Sequence, residues 1–348
     1  MKIGILTASR TDNNGTDLQS LAMYNMFKKL GANEIEIINY ISDSIYCEIN
    51  SKLSLRSILR YPVTRYVHKA HANFRSHYFH RSSVVYNKDT LENANYDIIV
   101  VGSDQVWNLD LTHGDTFFFL PFNNGARKFS YAVSLGTANV YDWEYKYKIS
   151  KYLSQFENIS IREESGARAL NKINITSRYD LDPILMGSTY DWIHFTTPPK
   201  HKKKYIFLYL VEISDIAIKY AKIEARRLGC KIIANNASIR PIRGVNNLRF
   251  VGVEDWLNLV ANAEMVITNS YHGLSFSILY KKDFRLCLLP GKSKNNERML
   301  NLLERLSLYD HILFDIDNKY KEIDWNKVDD VPNRLRASSE NYIREIIG

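Results

Sequence analysis

The chain has 348 residues, of which 45% are hydrophobic and 24% charged, with a formal net charge of +8 and a pI of about 9.1. Such a length and composition suit a soluble protein of two ordinary domains with real cores, not a disordered or fibrous chain. The positive balance favours acidic partners (nucleic acid, an anionic membrane face or a phosphorylated substrate) without choosing between them.

Cysteine is sparse. Cys47, Cys230 and Cys287 are isolated, with no C-x-x-C and no metal-ligand spacing, which suits a reducing cytosol. The opening MKIGILTA superficially resembles a secretion signal, but its apolar run is short and Arg10, Asp12 and Asp17 follow at once. No apolar stretch approaches the roughly 20 residues of a membrane span. The expectation is a cytoplasmic protein.

Lys2 to Thr7 reads as a strand, and Thr11 to Asp17 as a polar loop. Leu18 to Leu30 carries apolar residues at helical spacing and stops at Gly31. Ile35 to Tyr40 is a second strand, so the opening is one unit of a parallel sheet. Residues 51–81 differ, with no acid, seven Lys or Arg, four His and several aromatics. They read as one or two basic amphipathic helices. The plain reading is a solvated helical face. The functional one is a surface that meets anionic lipid or an anionic acceptor. No nucleic-acid-binding motif accompanies the charge, so nucleic acid is not expected.

Asp97 to Val101 is a buried strand, followed directly by Gly102-Ser-Asp-Gln-Val-Trp-Asn108. Asp104 and Gln105 there are candidate hydrogen-bonding groups and Trp107 a candidate stacking platform; Ser103 or Asp104 as a helix cap is the plain alternative. Lys128 to Leu135 is another strand, and Tyr141 to Phe156 an amphipathic helix. At Asn158 to Gly166 a strand breaks into a helix with Arg162 at the break. That arginine either presents its fork to a carboxylate or phosphate or pairs structurally with Glu163 or Glu164.

Residues 188–204, with Pro198-Pro199 and a lysine run, form the best linker. A second strand–helix series follows, its strands expected at 205–210, 231–234, 248–251, 265–268 and 285–289. The stretch Val266 to Ile278 organises this half: a buried strand, then Asn269-Ser-Tyr-His-Gly273, then a helix from Leu274. His272 stands at a strand's carboxyl end, where a following helix points free N–H groups at ligands, and Gly273 permits close backbone approach. Asn296 to Leu306 is a strong helix with Arg298 in its first turn, and Asn333 to Ile347 a last one that would pack back on the first half. The domains expected are residues 1–187 with the basic insert at 51–81, a linker over 188–204, and 205–330, then the terminal helix 331–348.

Seven of these pieces, in order, resemble the polysaccharide pyruvyl transferases. They are Asn13 to Gln19, Gly102 to Asn108, Ser130 to Gly136, Ser160 to Ser165, Asp182-Pro183, Thr268 to Gly273 and Asn296 to Met299. The resemblance spans roughly residues 1–308 and is poor over 40–91. It implies an α/β, GT-B-like fold, two Rossmann-like parallel-sheet domains facing a central cleft. It implies transfer of the carboxyethylidene group of phosphoenolpyruvate to two sugar hydroxyls in cell-surface polysaccharide biosynthesis, releasing phosphate.

By that resemblance Arg162, Ser270, His272 and Gly273 hold the donor. Arg298 is aligned with a third basic contact, and Lys292 and Lys294 are its alternatives. His272 suits a general acid for the enol carbon, and Asp104 a base for the acceptor hydroxyl. Asn14, Gln19, Asp104, Gln105 and Trp107 form the acceptor group. The acceptor is a sugar, lipid-linked in one form of this reading, which would place the enzyme at the inner membrane face. No metal and no cofactor beyond the donor substrate are expected. The rival readings are a GT-B glycosyltransferase using a nucleotide sugar, and a sugar- or phosphate-binding protein without turnover.

Overall fold

Short runs rich in Ile and Val alternate with helical stretches twice along the chain, and each series closes its own parallel sheet. The computed structural model describes residues 1–42, 55–136, 139–187, 189–196, 203–236, 241–289, 296–317 and 320–348. Two units divide them: one from Met1–Leu53, Asn73–Met186 and Pro332–Gly348, the other from Ser54–Ala72 and Gly187–Val331.

The first unit contains β1 (Lys2–Leu6), α1 (Asn14–Lys29), β2 (Glu34–Tyr40), the end of α2 (Leu55–Tyr78), β3 (Arg81–Tyr86), β4 (Ile98–Val101) and β5 (Arg127–Ser130). After these come α3 (Val140–Tyr147), α4 (Ile149–Leu153), β6 (Ser160–Ile161), α5 (Glu164–Asn171), β7 (Arg178–Tyr179) and α6 (Pro183–Met186). The main sheet runs β3-β2-β1-β4-β5, all pairs parallel. Strand order therefore reverses between β1 and β4, where the loops after both strands diverge and leave room for a ligand. Ile98 to Val101 are all buried, as a strand covered on both faces requires.

The second unit contains α7 (Thr189–Trp192), β8 (Tyr205–Leu210), α8 (Asp215–Arg227), β9 (Lys231–Asn236), β10 (Asn246–Asn247), α9 (Val253–Ala261), β11 (Met265–Thr268), α10 (Tyr271–Leu279), β12 (Asp283–Leu286) and α11 (Glu297–Arg305). Its sheet repeats the pattern as β10-β9-β8-β11-β12, again parallel throughout. The fold class is thus α/β, with two Rossmann-like sheets.

Several elements differ from the sequence expectation for local reasons. Helix α1 begins four residues early, because Asn13 Oδ1 caps it by accepting from Gly15 N and Thr16 N. The helix expected over 141–156 is broken at Lys148, whose left-handed backbone (φ 53°) separates α3 from α4. Strand β3 is unannounced in the sequence: it is an edge strand with Val84 and Val85 exposed, so its apolar alternation does not mark a buried face.

The basic stretch forms one helix, α2, with Pro62 inside it, and the chain passes from the second unit to the first near its end. The stretch between the domains is more than a linker. Trp192 and Phe195 are buried there, and Trp192 packs edge-on against Phe276 at 5.2 Å. The last helix, α12 (Trp325–Ile347), gives its Pro332–Gly348 portion to the first unit. There Tyr342 donates to the Ser130 carbonyl at 2.9 Å, and Ser339 to Asp180 Oδ1 at 2.8 Å. Among the described residues no helix is long and apolar enough to cross a membrane.

Candidate functional site

In the first unit, the loop after β4 carries Asp104 on a left-handed backbone (φ 74°), a conformation a short polar side chain tolerates better than most. Its carboxylate gathers three segments. Thr16 Oγ1, from the first turn of α1, donates to Oδ2 at 2.9 Å. Gln105 N donates to Oδ1 at 2.9 Å, and an Arg162 terminal nitrogen to the same oxygen at 3.2 Å. The other terminal nitrogen of Arg162 donates to Asp182 Oδ2 at 2.7 Å. Asp182 in turn accepts from Ile184 N at 2.9 Å, capping α6.

The Arg162 side chain is wholly buried. Its partners are thus Asp182 and Asp104, not the adjacent Glu163 or Glu164. Glu163 instead accepts from Leu135 N at 2.7 Å. The fork expected to meet a donor anion faces two protein carboxylates, because strands β4 and β6 and the Asp182 turn converge on one point.

Two further expectations meet the core. Trp107 is fully buried, stacks on Phe119 at 5.3 Å and donates its indole N–H to the Phe118 carbonyl. This corrects its place as an acceptor platform, since no indole face is open to a ligand. Gln19 is also fully buried on α1, and neither end of its amide has a hydrogen-bond partner. Asn14 stands in the first turn of α1 with a buried, unpartnered Oδ1. Gln105 remains half-exposed, its Oε1 accepting from Asn108 at 3.0 Å.

In the second unit the site forms around the start of α10. Helix geometry begins at Tyr271, so His272 and Gly273 lie in its first turn and not in a preceding loop. Ser270 is the cap, its hydroxyl accepting from Gly273 N at 3.4 Å. Thr268 Oγ1 accepts from Ser270 N at 3.0 Å. Asn269 ties this turn to the end of β8, accepting from Val211 N at 2.8 Å and donating to Glu212 O at 2.7 Å. The intrahelical ladder offers no acceptor to the first N–H groups of α10, so its positive end lies beside His272.

His272 is 8% exposed and meets the Tyr271 ring edge-on at 5.7 Å. The Arg298 guanidinium, from the first turn of α11, lies over that same Tyr271 ring at 5.2 Å. Ser270, His272, Gly273 and Arg298 are therefore neighbours. Burial pushes the nearby Tyr209 hydroxyl up to about 12, so it stays a neutral donor at working pH. Lys292 and Lys294 lie outside the described residues. Among the described residues no three His, Cys, Asp or Glu side chains gather as metal ligands.

Thr16 and Asp182 were absent from the sequence-derived site although both sit in quoted motifs. Asn13-Asn-Gly-Thr-Asp-Leu-Gln19 held the signal for Thr16, but its hydroxyl faces Asp104 only once α1 begins at Asn14.

Solved structures of similar chain course include UDP-GlcNAc 2-epimerase from Neisseria meningitidis bound to UDP-GlcNAc. It is 10% identical, covers 100% of this chain and 94% of that one, and has a TM-score of 0.49. The S. aureus MnaA–UDP structure is 10% identical, covers 98% and 91%, and has a TM-score of 0.49. The E. coli ADP-heptose heptosyltransferase II is 9% identical, covers 98% and 100%, and has a TM-score of 0.40. No curated protein matches the chain. The family model for polysaccharide pyruvyl transferase matches residues 13–287. That span runs from the cap of α1 through Asp104, Arg162 and His272 to the residue after β12. With the match covering most of its length, the chain belongs to the polysaccharide pyruvyl transferase family.

Proposed function

We propose that the protein transfers the carboxyethylidene group of phosphoenolpyruvate to two hydroxyls of a sugar, as a pyruvate ketal, during cell-surface polysaccharide biosynthesis. The observation that carries this reading is His272 in the first turn of α10, with Arg298 over the neighbouring Tyr271 ring, in a chain of this family. Phosphoenolpyruvate brings a phosphate and a carboxylate. A helix N-terminus, an arginine fork and a protonatable imidazole together suit such a pair of anionic groups.

In the chemistry, one acceptor hydroxyl adds to the phosphate-bearing carbon while the methylene carbon takes a proton. The second hydroxyl then attacks the same carbon, and the C–O bond to phosphate breaks. His272 supplies the proton to the methylene carbon, and Asp104 accepts one from a hydroxyl. Arg162 enters as a positioning residue that fixes Asp104 against Thr16. The first-unit cluster, with Asn14 and Gln105, takes the acceptor. The basic stretch 51–81 brings the enzyme to an anionic membrane face, where a lipid-linked acceptor would be met.

A second reading, transfer from a nucleotide sugar, is favoured by one feature: the α10 N-terminus with Arg298 suits a diphosphate as well as a monophosphate. The two differ in what leaves. Candidate acceptors incubated with phosphoenolpyruvate should gain one carboxyethylidene group by mass, with equimolar inorganic phosphate released. Release of a nucleotide from a nucleotide sugar, with no ketal formed, would establish the second reading instead. Absence of turnover with either donor class would leave a binding protein. His272→Ala should abolish ketal formation with the thermal melt unchanged.

A further inference from the structure

The strand ends of the first unit hold a second group of cations, which the proposed reaction does not use. Arg10 follows β1 and Arg81 opens β3. Both are half-buried, and among the described residues neither pairs with a carboxylate. Arg10 Nε donates to Asn39 Oδ1 at 2.9 Å, from the end of β2. Arg81 donates to the Ser9 carbonyl and lies over the Phe79 ring at 5.3 Å, while its buried Nε has no partner.

The third arginine, Arg75, differs. It reaches Asp12 at 2.8 Å, Asp17 at 3.4 Å and the Thr11 carbonyl at 2.9 Å. Three guanidiniums thus gather at the loop after β1, and Arg75 engages the two carboxylates beside it, Asp12 in the loop and Asp17 in the first turn of α1. The strain shows in the acid–base balance. Burial, then repulsion from Arg75, lowers the pKa of Arg10. Burial, then Arg75 and Arg10, brings Arg81 down to about 10, against an opposing pull from Asp17. Half-buried cations without counter-charge are costly unless something anionic binds them.

The surroundings point to what binds. The loop leads directly into the sixteen-residue helix α1, whose Gly15 and Thr16 N–H groups are taken by the Asn13 cap, so the helix contributes its dipole and not free donors. Ser9, in the loop between Arg10 and β1, is 1% exposed and its hydroxyl has no partner. Ser9 and Arg10 lie just past the carboxyl end of β1, the side on which such folds receive ligands, and Arg81 reaches them from the start of β3. Two forks and a hydroxyl suit several oxygens carrying more than one negative charge.

We infer that Arg10, Arg81 and Ser9 form a binding site for a phosphate or diphosphate ester, occupied by the phosphorylated end of the sugar acceptor. Only the word acceptor rests on the proposed transfer; the anion site stands on the geometry. The acceptor is then a nucleotide- or lipid-linked sugar rather than finished polymer.

Inorganic pyrophosphate is the probe, titrated calorimetrically into the full chain. A His272→Ala/Arg298→Gln variant removes the donor group and should still bind it. Arg10→Gln and Arg81→Gln, made singly, should each weaken binding about tenfold without changing affinity for phosphoenolpyruvate. Arg10→Lys and Arg81→Lys keep the charge, guard against loss of fold, and should recover part of the affinity. Absence of saturable binding in the donor-group variant overturns the site. So does equal affinity in the glutamine variants, or a loss that falls on phosphoenolpyruvate instead. UDP and farnesyl diphosphate, as competitors, separate a nucleotide from a lipid source; displacement by neither overturns the acceptor assignment. If no ketal product forms but the titrations behave as stated, the transfer reading alone has failed.

Discussion

At the scale of single residues, Arg162 shows how a position legible in sequence acquires its role only from distant partners. Its placement at a strand-to-helix break was readable from Ser160 to Ser165. Its partners were not, because Asp182 lies 20 residues away and Asp104 lies 58 away. Removing the guanidinium would take from Asp182, wholly buried, and from Asp104 the cation they share. Breaking one side of a buried pair typically costs about 3–5 kcal/mol. Arg162→Ala should therefore lower stability by that order in denaturant unfolding, and Arg162→Lys by less. A loss under about 1 kcal/mol would show that the two carboxylates do not depend on it. His272 is the contrasting case. Its neighbours Ser270 and Gly273 are adjacent in sequence, so its local setting was legible, apart from the helix beginning at Tyr271.

At the scale of elements, α10 sits close on its sheet, and Gly273 is the reason. A Cβ there would stand 2.5 Å from Thr268 Oγ1 and 3.0 Å from Tyr209 Cδ1. Thr268 Oγ1 cannot give way freely, since it accepts from Ser270 N at the cap. Gly273→Ala should shift the first turn of α10 and move His272 with it. Overpacking of this kind costs about 1–3 kcal/mol. The expected outcome is a lower melting temperature and a larger proportional loss of kcat than of stability. Thr268→Ala added to Gly273→Ala should restore part of both. An alanine variant as stable and active as the parent would remove close packing as the glycine's purpose.

At the scale of the whole molecule, the basic stretch changes meaning. Of its seven cations, Arg75 and Arg81 turn into the first unit, Arg75 to its carboxylates and Arg81 to the Ser9 carbonyl. Arg65 and Lys69 are exposed on α2, and the side chains of Lys52, Arg56 and Arg60 lie outside the described residues. The exposed Tyr66 on α2 meets the exposed Phe250 edge-on at 5.4 Å, with Arg249 beside it. Cations around an exposed aromatic pair suit the interface of an anionic bilayer, at about 1 kcal/mol per basic residue. The protein should sediment with vesicles containing phosphatidylglycerol at low salt, and not with phosphatidylcholine alone. Glutamine at Arg56, Arg60, Arg65 and Lys69 should release it. Absence of sedimentation at low salt would return α2 to a solvated face.

The sequence by itself determined what depends on near neighbours. Apolar runs such as Ile98 to Val101 and Met265 to Thr268 specify strands buried on both faces, and alternation with helices specifies parallel sheets. Ordered motifs pointed to the family. The tertiary structure decided what depends on partners far along the chain. It put Trp107 into the core, turned Arg162 toward Asp182 and Asp104, and made an edge strand of Arg81 to Tyr86. It also brought Arg75 and Arg81, from α2 and β3, to the loop that carries Arg10. Backbone preference and burial period act within a few residues and leave a local trace, whereas an ion pair or an edge strand is defined by a surface that only the folded chain creates.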